Sequence, residues 1–198
     1  MRKFLSLPQE KQDRIVYAAM KLFGEVGYKK AYISEIAAAS GISKALVFHY
    51  FKSKKGLYSY LVYFTGKIVM TEAQHERDTA DKDFFDRVIS TIKFRLTIKK
   101  RYPAISLFME SVYNEDEPEV AADIKRLLAI AKDMHSKVEL ISGEENIFKR
   151  DVDPVNVVNL VEKYMEGLVL GCKKDLPVDV AMHEATMCLN LLRNNLCR

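Results

Sequence analysis

Residues 41–57 read GISKALVFHYFKSKKGL: a turn glycine, a serine, then Phe48, His49, Tyr50 and Phe51 in one run, with Lys44, Lys52, Lys54 and Lys55 around them. The order suits a short helix starting after Ser43, because a serine side chain can accept from the unpaired N–H groups of a first turn. At about 100° per residue, Val47 and Phe51 fall on one side of that helix, next to Ile42. Lys44, Ala45, Phe48 and His49 fall on the other. The first set can hold the helix to its neighbours, whereas an outward phenylalanine beside a lysine and a histidine has no core role. A buried helix with a solvated basic end and a surface built to sit on nucleic acid are the two readings to separate.

The distribution of charge bears on that choice. The 198 residues carry a formal charge of +4. Through Tyr58 there are 11 Lys and Arg against 4 Asp and Glu, +7, and the remainder has 20 against 23, −3. A basic first third points to an anionic partner at one end of the molecule, nucleic acid or a membrane surface. The aromatic residues sit in a compact turn motif and not along one long amphipathic stripe, which disfavours the membrane. No apolar run reaches the roughly 18 to 20 residues of a membrane span, and the stretch MRKFLSLPQEKQD is too weakly apolar for a secretion signal. A cytoplasmic protein is expected.

Periodicity predicts an all-α chain of about nine helices. Ile15, Ala19, Leu22, Phe23 and Val26 recur at helical spacing between Pro8 and the pair Gly24 and Gly27. A short second helix carries Ile33, Ile36 and Ala37, and Ser40 and Gly41 turn the chain into the helix after Ser43. Two short helices about a glycine turn form a helix-turn-helix, whose second helix enters the major groove of DNA. A fourth helix runs from Ser53 toward Glu72. Further helices are expected over 84–100, 103–113, 118–141, 154–173 and 177–196, four of them opened by proline, which a first turn accepts. The division expected is a head at 1–52 and a helical body at 53–198. The last two helices are apolar over most of their circumference and so need cover on more than one side, for which a second copy of the chain is the natural source. Cys172, Cys188 and Cys197 show neither disulfide nor zinc-ligand spacing and read as small buried residues.

The head resembles the DNA-binding segment of the tetracycline-repressor (TetR) family of bacterial transcriptional regulators. The likeness covers about residues 10–60: Gly24 to Tyr28 at the end of the first helix, Ile36 and Ala37, the turn Gly41-Ile42-Ser43, the run Phe48 to Phe51, then Lys54 and Leu57. It implies that Lys44, Ala45 and Leu46 approach base edges and that Phe48 and His49 contact bases, sugars or backbone. Tyr50 and Lys54 would hold phosphates, with Tyr32, Ser34 and Ser43 also at the DNA. The family's Thr or Ser at the positions of Ala31 and Tyr32 is missing, so the usual cap of the second helix is absent; the Tyr32 hydroxyl is an alternative phosphate donor. The resemblance further implies a homodimer through 154–173 and 177–196 on a double-stranded operator. It also implies release by a small apolar or amphipathic effector, for which Phe94, Phe108, Tyr113, Met134 and Tyr164 are candidate lining residues. A DNA-binding architectural or cell-division protein on the same scaffold, without an effector, is the alternative.

An enzyme is not expected. Glu72 and His75 form a single E-x-x-H, whereas a di-iron bundle needs two such motifs and further glutamates. His183 lacks the second histidine of H-E-x-x-H, and no phosphate loop, nucleotide fingerprint or G-x-S-x-G occurs. No cofactor or metal is expected.

Overall fold

The computed structural model describes residues 2–75, 83–135, 140–172 and 176–198, with the backbone alone for 74–75 and 130–135. These residues form ten α-helices: α1 Arg2–Leu5, α2 Gln9–Lys30, α3 Ile33–Ser40, α4 Lys44–Phe51, α5 Lys54–His75, α6 Phe84–Arg101, α7 Pro103–Tyr113, α8 Ala121–His135, α9 Pro154–Gly171 and α10 Val178–Leu196. The fold is all-α, with one helix more than periodicity predicts. The addition is α1, a single turn too short to show a period. Its Phe4 is wholly buried and packs on Phe51 and Tyr60, with ring centroids 4.8 and 5.2 Å away.

Other boundaries also shift. The helix expected over 118–141 is α8, Ala121–His135; Pro118 lies in a turn ahead of it, and Ile141 lies beyond it, before a 3-10 turn at Glu144–Ile147. The last two helices end and begin as α9 and α10, and Lys173 lies outside the described residues. All three cysteines are half-buried, not buried as expected, and no disulfide joins them. No helix among the described residues is long and apolar enough to cross a membrane.

The chain divides into two compact units, Met1–Met70 with Tyr102–Ala131, and Thr71–Arg101 with Lys132–Arg198. In the first, Phe23 of α2 and Phe108 of α7 each meet Tyr58 of α5 edge-on at 5.2 Å. A Cβ on Gly24 would stand 2.7 Å from Leu107 Cγ, so α2 and α7 pack as closely as a bare backbone allows. The second unit is built on Phe84, Phe85, Val88 and Ile92 of α6, Val157, Val161 and Met165 of α9, and Ala181, Ala185 and Leu189 of α10. Val155, Leu160 and Leu170 of α9 and Val180, Met187 and Leu191 of α10 remain exposed. At the edge of this core the buried Arg87 guanidinium donates to both Glu144 oxygens, each at 2.6 Å.

Two outcomes follow from these contacts. Phe4→Ala removes a fully buried ring and should cost about 3–5 kcal/mol of stability, measured by urea denaturation. The hydrogen bond from Arg87 holds the Glu144 carboxyl below the ordinary glutamate range, more than burial raises it. A depressed acid stabilises above its unfolded value and loses that stabilisation as pH falls through its folded value. Stability should therefore drop below the ordinary glutamate range, and Glu144→Gln should flatten that part of a stability–pH curve.

Candidate nucleic-acid interface

The helix-turn-helix is built by local chemistry. The turn after α3 has Gly41 at φ 68°, ψ 32°, with its N–H and that of Ile42 returning to Ala38 and Ala37 carbonyls at 3.2 and 3.0 Å. A left-handed residue with paired carbonyls closes the helix C-terminus. The Ser43 hydroxyl accepts from Leu46 N–H at 3.2 Å and opens α4. Ser53 does the same for α5, its hydroxyl accepting from Gly56 N–H at 2.9 Å. At Tyr32 the first residue of α3 is preceded by no side-chain cap.

Burial divides α4 as its helical phase predicts. Val47 and Phe51 are buried and Ile42 is half-buried, whereas Lys44, Ala45, Leu46, Phe48 and His49 are exposed. Lys44 Nζ lies 6.0 Å from the Phe48 ring centroid, one turn along the same face. Tyr32, at 64% exposure, and Ser34 stand open at the start of α3.

Two expected phosphate ligands are placed differently from the exposed face. Tyr50 is only 7% exposed, its ring 6.1 Å from Phe4 and 5.7 Å from His49. Lys54 points back into its own unit: Nζ donates to the Lys29 carbonyl at 3.1 Å and sits 4.6 Å from the Tyr28 ring centroid. Burial lowers the Lys54 pKa, against the opposing pull of Glu119, Glu117 and Glu115. Lys54 thus ties the end of α2 to the start of α5. Lys52 and Lys55 are exposed near it, and Lys52 closes α4 at φ 71° with its N–H on Phe48 O at 2.8 Å. Arg2 and Lys3, on α1 beside α4, are exposed cations that the sequence reading missed. The basic pair ahead of a lone Phe4 was the available signal.

The candidate effector residues do not gather in one unit. Phe108 is fully buried in the first core and Tyr113 is exposed on the same helix, while Phe94 and Tyr164 are half-buried in the second unit. The Met134 side chain lies outside the described residues. Among the described residues no group of three or more His, Cys, Asp or Glu side chains could hold a metal ion.

Residues 15–61, which carry this helix-turn-helix, match the family model described as bacterial regulatory proteins, tetR family. The segment that forms the helix-turn-helix is thus similar to that family. A stretch of 74 residues is 36% identical to an uncharacterised HTH-type transcriptional regulator, YerO, of Bacillus subtilis, covering 37% of this chain and 26% of that protein. The matched stretch thus spans about a quarter of that relative's length. Over the whole chain the likeness is one of fold. A TetR family transcriptional regulator from Chloroflexus aurantiacus superposes with a TM-score of 0.77 at 15% identity, covering 100% of this chain and 98% of the other. The transcriptional regulator FadR from Bacillus subtilis, solved in complex with stearoyl-CoA, gives 0.62 at 13% identity over 89% and 96%.

The head also carries a test of its local build. Ser43→Ala removes the cap of α4 and should cost about 1 kcal/mol in the head. Circular dichroism during urea titration measures it.

Proposed function

We propose that this chain is a transcriptional repressor that works as a homodimer on a pseudo-palindromic double-stranded DNA operator, without catalytic activity, in the bacterial cytoplasm. The observation that carries the reading is the division of α4 into a buried anchoring side and an exposed side of Lys44, Ala45, Leu46, Phe48 and His49. Lys44 is the base-reading donor, since lysine pairs with guanine O6 and N7. Phe48 and His49 lie against base edges, sugars or backbone; Tyr32, Ser34 and Ser43 stand along the phosphates, while Tyr50 and Lys54 brace the head from within. In this division of labour residues 1–52 read DNA and 53–198 dimerise and respond.

Dimerisation draws support from the exposed apolar residues of α9 and α10, which in one copy face water. Covering such a face with its own twofold copy is the commonest route to a stable pair. Two heads must then present α4 about 34–36 Å apart, or a multiple, to read successive major grooves. An amphipathic effector that prefers another separation releases the operator by its differential affinity for that state. The stearoyl-CoA held by the similar FadR is a ligand of that amphipathic kind.

Sequencing fragments retained from a random duplex pool should return one palindromic motif; recovery of no reproducible motif sinks the reading. With that operator, Lys44→Ala should weaken binding by about 1–3 kcal/mol and relax preference at one base pair of each half-site.

A further inference from the structure

We propose that Glu115, in the connection between α7 and α8, is a positioning residue for the DNA-reading helices, closing the broken end of α2 from which α3 and α4 hang. Its consequence for DNA rests on the function proposed above.

At Gly27 the backbone leaves helical geometry, with φ 77° and ψ 173°, a conformation that side chains other than glycine's rarely allow. Such a break interrupts the ladder of α2 three residues before its end. The Tyr28 N–H beyond it is taken by Glu115 Oε2 at 2.6 Å, from 87 residues along the chain. The other oxygen, Oε1, accepts from Glu117 N–H at 3.3 Å, which stiffens the connection that presents the carboxylate. Two further ties hold the next residue: Lys29 Nζ lies 3.2 Å from Glu117 Oε1, and the Lys29 carbonyl accepts from Lys54.

Position, not net stability, is what these ties add. Immediately afterwards the chain passes the fully buried Ala31 and enters α3 at Tyr32 without a side-chain cap. α3 and α4 are eight residues each, joined through Gly41, so a rotation about residue 28 carries both. The start of α3 is therefore fixed from behind. Of the ties, the Lys29–Glu117 pair is weak because the lysine side chain is 82% exposed. The Glu115 bond is short, partly buried and charge-assisted, so it carries most of the restraint.

Glu115→Ala and Glu115→Gln separate positioning from mere stability, since the glutamine carbonyl still accepts from Tyr28. In Glu115→Ala, amides of 28–40 should exchange with deuterium about tenfold faster, the scale of one charge-assisted hydrogen bond, while those of 15–23 are unchanged. Affinity for the selected operator should fall about tenfold, with affinity for unrelated duplex, set by phosphate attraction, held within about twofold. Glu115→Gln should recover most of both. Unchanged exchange over 28–40, equally faster exchange over 15–23, or a parallel fall for operator and unrelated duplex overturns the proposal. A parent protein that selects no operator overturns the repressor reading instead, and the exchange measurement still decides whether Glu115 holds α3.

Discussion

Phe51 lies between Phe4 of α1 and Tyr60 of α5, at ring-centroid distances of 4.8 and 5.5 Å, and this contact decides which way α4 faces. An eight-residue helix is not stable alone, so its direction comes from what it packs against. With Val47 and Tyr50 also buried, three of the eight positions are spent on attachment. What remains is a face of Lys44, Ala45, Leu46, Phe48 and His49, aimed by the rings behind it. The exposed chemistry of the head is thus a product of its aromatic core.

The second unit shows the same economy on a larger scale. One side of α9 and α10 supplies Val157, Val161, Met165, Ala181, Ala185 and Leu189 to the core, and the other presents Val155, Leu160, Leu170, Val180, Met187 and Leu191 to water. Their wide apolar circumference is two surfaces with different duties. Lys99 reaches from α6 to the Val169 and Leu170 carbonyls at 2.7 and 3.1 Å, meeting the negative end of α9 with a cation.

Much of this was legible in the sequence where the chemistry is local. The two sides of α4 follow from helical period, the Ser43 cap from spacing, and the bare start of α3 from Ala31 and Tyr32. Long-range partners were not legible. Phe4 reads as part of a polar terminus until Phe51 and Tyr60 are seen beside it. Tyr50 and Lys54 look like free phosphate ligands in a basic run, yet one is packed on Phe4 and the other is held by Lys29 and Tyr28. Phe108 and Phe94 share an apolar, helical setting, and no periodicity reveals that they belong to different units.

The first unit is discontinuous in sequence: it takes Tyr102–Ala131 across an intervening stretch assigned to the other unit. Loop closure must therefore precede the reward of packing α7 on α2, a delay that contacts between sequence neighbours do not impose. On the ribosome, α2 emerges well before the helix that covers Gly24 and the glutamate that receives Tyr28. Until α7 arrives, the face around Phe23 and Tyr58 is uncovered apolar surface, the kind that nascent chains lose to aggregation. The stretch 15–61 that matches the family model is thus shorter than the unit it packs into, and it leaves out Leu107, Phe108 and Glu115, which cover Gly24, Tyr58 and the Tyr28 N–H.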